Sequence, residues 1–321
     1  MLISQGPLRV SLFGGGSDLP SFLRGNEGAV LSFAINRRVF IAGHPFTHRD
    51  GILLKYSQTE DVSSPRELQH PIAREILDRY GVNDVDLAVM ADVPAGTGLG
   101  SSSAFTVAFL ALVRHLTGRA STPADLAREA CEIEIEILKE PIGYQDQWAS
   151  ALGGLNVLRF SGRDVSVERI PLTSETVDAL QSNLHLVPVG APRRARSVLA
   201  DQDMSLTSGS AEEELTRRLA SMVDEGHRAL LEDIDQLGPL LAEAWELKKQ
   251  VAPNATNQVV DELYEHGRSH GATGGKLLGA GGSGYLAFYV PAAKNQRFTT
   301  AMPTALTFTI SPSGAGVIHE S

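Results

Sequence analysis

The segment PAGTGLGSSSA, residues 94–104, has the residue types of a loop that holds phosphate groups. Gly96, Gly98 and Gly100 have no side chains that would keep a ligand away from the backbone amides. Ser101 then begins an apolar segment, which predicts a helix whose N-terminal amides and dipole face the same ligand. The loop lacks the Gly-Lys-Ser/Thr ending of a P-loop and the G-x-G-x-x-G spacing of a dinucleotide fold. It is therefore a phosphate cradle of another kind, or an ordinary Gly/Ser turn before a capped helix.

The placement of the loop favours the phosphate interpretation. A predicted strand, VDLAVMA (85–91), precedes it, and the apolar, Gly-free run FTVAFLALVRHL follows it. The order is therefore strand, Gly-rich loop and buried helix, which brings the helix N-terminus to the end of a sheet.

The segment STPADLAREACEIEIEILK, residues 121–139, supplies a candidate metal ligand. Its alternating Glu and Ile residues resemble a strand, but Thr122 and Asp125 form a capping box and Pro123 suits the first helical position, so we predict a helix. On this helix Glu134 interrupts an apolar face. A carboxylate directed at a core is costly unless it is paired or bound to a cation. We expect Glu134 to bind Mg²⁺ or, alternatively, to make a structural hydrogen bond or ion pair; its predicted apolar neighbours are Ala127, Ala130, Ile137 and Leu138.

Three more charged residues have surroundings that suit an active site. Asp146 lies in PIGYQDQWASALGG, which Pro141 and Gly143 mark as irregular, and catalytic groups often occupy loops. Arg9 interrupts a mainly apolar strand, and Asp18 follows a run of three glycines. Taken singly, an Arg in a strand is usually a solvated edge residue and an Asp after glycines a turn residue.

Composition limits the class of protein. The chain has 321 residues, 42% of them hydrophobic, which suits one large or two medium domains. Its formal net charge of -10 argues against nucleic acid or anionic lipid as a partner. The single cysteine, Cys131, excludes an intrachain disulfide and a Cys-based metal site. The N-terminus resembles no secretory signal and no apolar run is long enough to span a bilayer, so we predict a cytoplasmic protein.

The order of the predicted elements indicates an α+β protein, with helices segregated from a largely antiparallel sheet. The composition turns toward long helices after a β-hairpin, and we place a domain boundary near 165–185. The predicted strands are 8–13, 29–35, 38–44, 52–56, 85–91, a hairpin near 153–170, two short strands within 274–291 and a closing strand at 306–311; the predicted helices include one around Arg74 to Tyr80 and several between 212 and 270.

Three segments in order, LRVSLFGGGSDLP, PAGTGLGSSSA and KLLGAGGSGYLAF, resemble the three motifs of the GHMP kinases. This family includes galactokinase, homoserine kinase, mevalonate kinase and phosphomevalonate kinase. The order and spacing of three motifs over nearly the whole chain are more specific than a single Gly-rich loop. FGGGSDLPSF, CEIEIEILKEPIGYQDQ and GGLN most resemble the D-glycero-D-manno-heptose 7-phosphate kinase branch, while fucose and other hexose kinases share much of the pattern.

The resemblance implies the two-domain GHMP kinase fold, with residues 1–175 forming a domain like ribosomal protein S5 domain 2 and residues 176–321 a ferredoxin-like domain. It implies transfer of the γ-phosphate of ATP, with Mg²⁺, to the anomeric hydroxyl of D-glycero-D-manno-heptose 7-phosphate for nucleotide-activated heptose synthesis. The alternatives are a kinase of an unphosphorylated sugar such as fucose or galactose, and a non-catalytic sugar or nucleotide sensor. The joint presence of Asp146, Glu134 and Arg9 speaks against the sensor.

Motif positions also imply residue roles. Asp146 is the candidate base, Arg9 the cation near it, and Glu134 falls where the family has a Mg²⁺-binding Glu. The residues implied to wrap the ATP phosphates are Pro94, Ala95, Gly96, Thr97, Gly98, Leu99, Gly100, Ser101, Ser102 and Ser103, with Ser101 or Ser102 touching Mg²⁺. The residues implied to face the acceptor are Gly15, Gly16, Ser17, Asp18, Arg193, Lys276 and Gly281.

A phosphorylated acceptor would require a local basic pocket in so acidic a protein. Arg193 and Lys276 are the first candidates, followed by Arg194 and Arg196 and by Arg37 and Arg38. Where heptose kinases often have Thr-Arg-Ser, this chain has Pro-Arg-Arg at 192–194, and RRAR could equally begin a solvated helix. The helices at 212–250 pack within the C-terminal domain or carry a homodimer interface, and the sequence leaves both open.

Overall fold

The computed structural model describes residues 1–190 and 209–320. These residues form an eight-stranded sheet and a three-stranded sheet covered by helices, which confirms the α+β class. The strands are β1 (Leu2–Phe13), β2 (Glu27–Pro45), β3 (Ile52–Lys55), β4 (Thr59–Val62), β5 (Val85–Ala91), β6 (Leu155–Ser161), β7 (Asp164–Arg169), β8 (Leu184–Val189), β9 (Gly274–Leu277), β10 (Gly284–Tyr289) and β11 (Gly316–Glu320). The helices are α1 (Pro71–Tyr80), α2 (Ser101–Leu116), α3 (Pro123–Cys131), α4 (Gln145–Leu152), α5 (Ser174–Asn183), α6 (Ala211–Glu232), α7 (Leu237–Val251), α8 (Gln258–Ser269) and α9 (Asn295–Ala301).

The long strand β2 is the spine of the large sheet. The strand order is β11-β1-β2-β5-β3-β4, and β6 pairs with the first half of β2 and with β7. We predicted two strands, 29–35 and 38–44, but the chain continues through Asn36, Arg37 and Arg38 without a break. Pairing with β1 shifts register opposite this stretch, between Pro7 and Arg9, and such a bulge accommodates polar residues that the strand would otherwise bury.

The predicted closing strand at 306–311 is wrong. This segment makes only two isolated bridges, Leu306 with Leu186 of β8 and Ile310 with Ile35 of β2. It therefore passes from the small sheet to the large sheet. Its apolar residues alternate because the segment contacts first one sheet and then the other. Strand β11 completes the large sheet instead, antiparallel to β1.

The helix predicted over 121–139 consists of α3 and a π-helix, Glu132–Ile137. The predicted capping box between Thr122 and Asp125 is present. The wider π turn rotates the residues that follow it, because hydrogen bonds such as Leu138 N to Ile133 O span one residue more than in an α-helix. Ile137 is consequently 40% exposed rather than part of the apolar face, whereas Glu134 remains fully buried.

The two sheets share one interior. Helix α6 packs on β1 and β2 of the large sheet, although it follows the predicted boundary at 175, and α7 lies against β9. With β11 also returning to the large sheet, the last residues of the chain support its first strand. The division into residues 1–175 and 176–321 stays a prediction. None of the helices in the described ranges combines the length and apolar character that a membrane crossing requires.

The contact of α6 with the large sheet predicts the effect of Gly226→Ala. A Cβ atom at Gly226 would lie 2.3 Å from the ring of Phe13, so we expect the free energy of unfolding to fall by about 1–3 kcal/mol through overpacking. Urea unfolding measures this change. Gly25→Ala is the matched control, since its Cβ meets nothing within 4 Å, and equal unfolding midpoints for the two variants would contradict the packing described.

Candidate active site

Asp146 and Arg9 form a bidentate ion pair at the centre of the candidate site. Arg9 Nε and Nη2 donate to the two carboxylate oxygens at 2.7 Å and 3.0 Å. The Arg9 side chain comes from the middle of β1, while Asp146 lies in the first turn of α4 rather than in the predicted loop. Arg9 is buried whereas the Asp146 side chain is 24% exposed, so the carboxylate remains accessible while two different elements hold the pair.

The Gly-rich loop lies directly over this pair. Arg9 Nη1 donates to the carbonyl of Gly98 at 2.6 Å, and the Arg9 amide donates to the carbonyl of Leu99 at 3.0 Å. Gly96, Gly98 and Gly100 all have left-handed φ angles, between 74° and 78°. A Cβ at Gly100 would lie 3.2 Å from Asp146 Oδ2, so the loop can approach the carboxylate only because this residue is glycine.

Helix α2 begins at the end of the loop, as predicted, and brings its serines toward a second carboxylate. Ser102 Oγ donates to Glu134 Oε1 at 3.3 Å, and Gln147 Nε2 donates to Glu134 Oε2 at 2.8 Å. Burial raises the pKa of Glu134 to about 7, because the charged form loses hydration there. The structure thus brings together the serine and the glutamate that we predicted as Mg²⁺ ligands.

The oxygen atoms of this pair fit a magnesium site that the nucleotide completes. Mg²⁺ in such sites uses one or two protein oxygens, substrate phosphates and water. Ser102 and Glu134 provide one hydroxyl and one carboxylate at the N-terminus of α2, where phosphates would lie. Within residues 1–190 and 209–320, no three or more His, Cys, Asp or Glu side chains group to hold a metal by themselves.

The predicted acceptor residues of the first motif lie beside the ion pair, and two of them have structural partners. Ser17 Oγ donates to the carbonyls of Gly14 and Ala29 at 2.8 Å and 2.9 Å, which fixes the turn. The Asp18 carboxylate is buried, and burial raises its pKa. Gly15 and Gly16 follow β1 in a partly exposed turn, so the acceptor roles of these residues stay predictions.

Gln145 is a site residue that the sequence reasoning missed. Its amide and Nε2 donate to the Asp18 carboxylate at 3.1 Å and 3.0 Å, which turns Oε1 away from Asp18 and leaves it without a partner. A Cβ at Gly15 would have only Gln145 Nε2 and Ser11 Oγ within 4 Å. The feature of the sequence that could have identified Gln145 is its position next to Asp146.

The second Gly-rich turn, residues 278–283, packs on the first. A Cβ at Gly279 would lie 2.4 Å from Gly98 Cα, and one at Gly284 would lie 2.4 Å from the Thr97 carbonyl oxygen. The two segments therefore meet backbone to backbone. Gly281 has a φ of 114° and faces Ala255 rather than the loop.

Two lysines, the buried Lys276 and the half-buried Lys248, contact these turns or the strand before them. Lys276 Nζ donates to the Leu12 carbonyl at 2.9 Å, and burial together with the nearby Arg9 lowers its pKa to about 7. Lys248, in α7, donates to the carbonyls of Leu277 and Gly279 and was not predicted, because a lysine in a long helix has no distinguishing sequence signal. Arg193, Arg194 and Arg196 lie outside the described residues.

The other basic candidates have structural partners. Arg37 Nη2 donates to the carbonyl of Thr307 at 2.8 Å, and Arg38 Nη2 donates to Ser311 Oγ at 2.9 Å. Both arginines therefore hold the 306–311 segment against β2. Neither contact involves the Asp146–Arg9 pair.

A backbone loop at a helix N-terminus, next to a carboxylate and an arginine, is an arrangement that suits phosphoryl transfer. The sequence motifs indicate one family of enzymes in which such a site is expected. Residues 68–154 match the family model described as the GHMP kinases N terminal domain. The matched segment contains the Gly-rich loop, Glu134 and Asp146.

Known proteins resemble the chain over most of its length. The D-glycero-alpha-D-manno-heptose 7-phosphate kinase of Campylobacter jejuni is 25% identical over 93% of this chain and 92% of its own. The bifunctional fucokinase/GDP-fucose pyrophosphorylase of Arabidopsis thaliana is 26% identical over 87% of this chain, which spans 29% of that longer protein. A crystal structure of a D-glycero-D-manno-heptose 1-phosphate kinase from Bacteroides thetaiotaomicron has the same fold, with a TM-score of 0.81, 23% identity and complete coverage of both chains.

The raised pKa of Glu134 predicts how stability depends on pH. Unfolded, this residue loses its proton near pH 4.5, but in the folded protein it does so near 7, so the free energy of unfolding falls as pH rises through this window. The full difference corresponds to ~3 kcal/mol. In metal-free protein we expect Glu134→Gln to remove this fall, so that the variant gains thermal stability relative to wild type between about pH 5 and about pH 8.

Melting temperatures recorded across that range measure the effect. Glu168→Gln is the control, because Glu168 is exposed on β7 and its replacement should leave the pH profile of wild type unchanged. A constant difference between Glu134→Gln and wild type at every pH would show that Glu134 is ionised in the folded protein throughout, contrary to the prediction.

Proposed function

We propose that this protein is an ATP-dependent sugar kinase that phosphorylates the anomeric hydroxyl of D-glycero-D-manno-heptose 7-phosphate and yields the 1,7-bisphosphate. The observation that carries the kinase proposal is the Asp146 carboxylate, held by Arg9 directly under the Gly-rich loop. The heptose 7-phosphate acceptor is supported by the Campylobacter relative, which the chain matches over nearly all of both sequences.

The geometry suggests how the residues would act. With the ATP phosphates against the amides of residues 96–103, the γ-phosphate would lie near Asp146. The acceptor hydroxyl would give its proton to Asp146 as its oxygen bonds to phosphorus and the bond to ADP breaks. Arg9 would hold the Asp146 carboxylate in place and stabilise charge on the transferred group.

Ser101 or Ser102 and Glu134 would hold Mg²⁺, with the remaining positions taken by phosphate oxygens and water. The ion would supply charge neutralisation for the phosphates. Glu134 must be ionised to bind it, and its pKa of about 7 means that a proton leaves when the cation arrives at neutral pH.

The acceptor would lie over Gly15 and Gly16, next to the Asp18–Gln145 pair. Its own phosphate needs a cation, for which Arg193 and Lys276 remain the candidates. Lys276 donates to the Leu12 carbonyl, and a phosphate beside it would favour its charged form.

The second candidate is a kinase of an unphosphorylated sugar such as fucose or galactose. The Arabidopsis relative, whose name includes fucokinase, matches with an identity similar to that of the heptose kinase. A cytoplasmic location and a homodimer also remain predictions for this chain.

Asp146→Asn tests the proposed chemistry. We expect turnover with MgATP and the acceptor to fall by about 10²- to 10⁴-fold, because the amide cannot accept the hydroxyl proton. ADP release measures turnover, and calorimetry should show nearly unchanged nucleotide binding. Asp178→Asn, at an exposed position of α5, is the control and should match wild type.

The same assay with a panel of acceptors separates the candidates. Turnover on heptose 7-phosphate supports the specific proposal, and turnover only on neutral sugars replaces it with the second candidate. Nucleotide binding without turnover on any acceptor would instead favour a sugar or nucleotide sensor.

A further inference from the structure

Lys248 of α7 reaches from the helix into the second Gly-rich turn. Its ammonium group donates to the Leu277 carbonyl at 3.2 Å and to the Gly279 carbonyl, the two carbonyls on either side of the first residue of the turn. The adjacent Lys249 instead pairs with Glu246 at 2.7 Å on the outer side of the helix. Of these two neighbours, only Lys248 joins α7 to the turn.

The turn that Lys248 holds lies against the phosphate loop without intervening side chains. The backbone of Gly279 packs on Gly98, and a Cβ at Gly98 would lie 2.6 Å from the Leu278 carbonyl oxygen. Arg9 holds the carbonyl of Gly98 from the opposite side. A shift of the turn would therefore move the loop relative to the Asp146–Arg9 pair, because closely packed backbone atoms leave no space for the turn to move alone.

The charges around Lys248 also point to a ligand. Lys276 and Arg9 are nearby cations, and within the part of the chain that the structure describes Lys248 has no carboxylate partner. Burial, followed by these two cations, lowers the pKa of Lys248 well below its usual range. A polyanion on the phosphate loop would favour the charged forms of these lysines.

We propose that Lys248 is a positioning residue that holds the turn at 278–283 against the phosphate loop and so preorganises the loop for the nucleotide. This inference rests on the proposed nucleotide site, but it concerns a helix and a lysine outside all three motifs. Lys248 acts through backbone carbonyls and does not contact the reacting atoms. Its loss should therefore weaken nucleotide binding more than it slows the transfer step.

Lys248→Met, compared with Lys249→Met, tests the proposal in the full-length protein. The methionine side chain cannot donate either of the two hydrogen bonds that Lys248 makes to the turn. We expect the KM for MgATP and the Kd for ADP to rise about tenfold or more, while kcat changes by less than about threefold. Lys249→Met should match wild type. The melting temperature of ligand-free Lys248→Met should be unchanged or higher, because the surroundings of this side chain disfavour a charge.

Hydrogen exchange distinguishes positioning from a general structural role. Amides of residues 278–283 should exchange faster in Lys248→Met, with the remainder of the protein unchanged. Should the methionine variant not fold, Lys248→Arg, which keeps a charged donor, should retain ADP affinity better than Lys248→Gln.

Equal ADP affinity in Lys248→Met and Lys249→Met, or equal affinity in the Arg and Gln variants, would overturn the proposal. A lower melting temperature with unchanged affinity would do so as well. These failures differ from failure of the proposed function, in which wild-type protein itself binds no ADP and transfers no phosphate.

Discussion

The site depends on the hydrogen bonds made by the Arg9 guanidinium group. One planar group binds both oxygens of Asp146 and the carbonyl of Gly98, and so relates the candidate base to the phosphate loop. The fork of donors in arginine makes this possible, whereas a lysine could not hold the same three acceptors in one plane. β1 supplies Arg9, and pairing of Arg9 with Ala34 of β2 fixes its place in the large sheet.

A second constraint is that ionisable side chains are buried in the protein without a ligand. Glu134 on one side of the loop and Lys276 on the other both have a pKa moved to about 7 by burial, in opposite directions from their ordinary values. Burial disfavours the ionised form of each group where no partner charge is present. A magnesium ion beside Glu134 and a polyanion beside the lysines would stabilise the ionised forms, which couples ligand binding to proton movement.

Much of the local structure follows from the sequence, and the errors have physical causes. The strand at 85–91 and the capped helix from Pro123 depend on short-range patterns, and both are confirmed. Three predictions were wrong: the division of β2 into two strands, the strand at 306–311 and the inward position of Ile137. A bulge opposite β2, a segment shared by two sheets and a π turn decided these cases. Periodicity cannot detect them, because each depends on a partner distant in sequence or on an altered helical repeat.

The sequence by itself determined the Gly-rich loop, its following helix and the resemblance to the GHMP kinases, since glycine spacing and ordered motifs are local properties. It also indicated Glu134, because a single carboxylate on an apolar helix face is visible in the helical period. Only the tertiary structure decided that Arg9 binds Asp146, which lies 137 residues away in sequence. It also decided that Asp18 orients Gln145 and that Lys248 supports the second Gly-rich turn. These contacts join elements far apart in the chain, and their energies depend on burial, which arises only when the two sheets and their helices pack together.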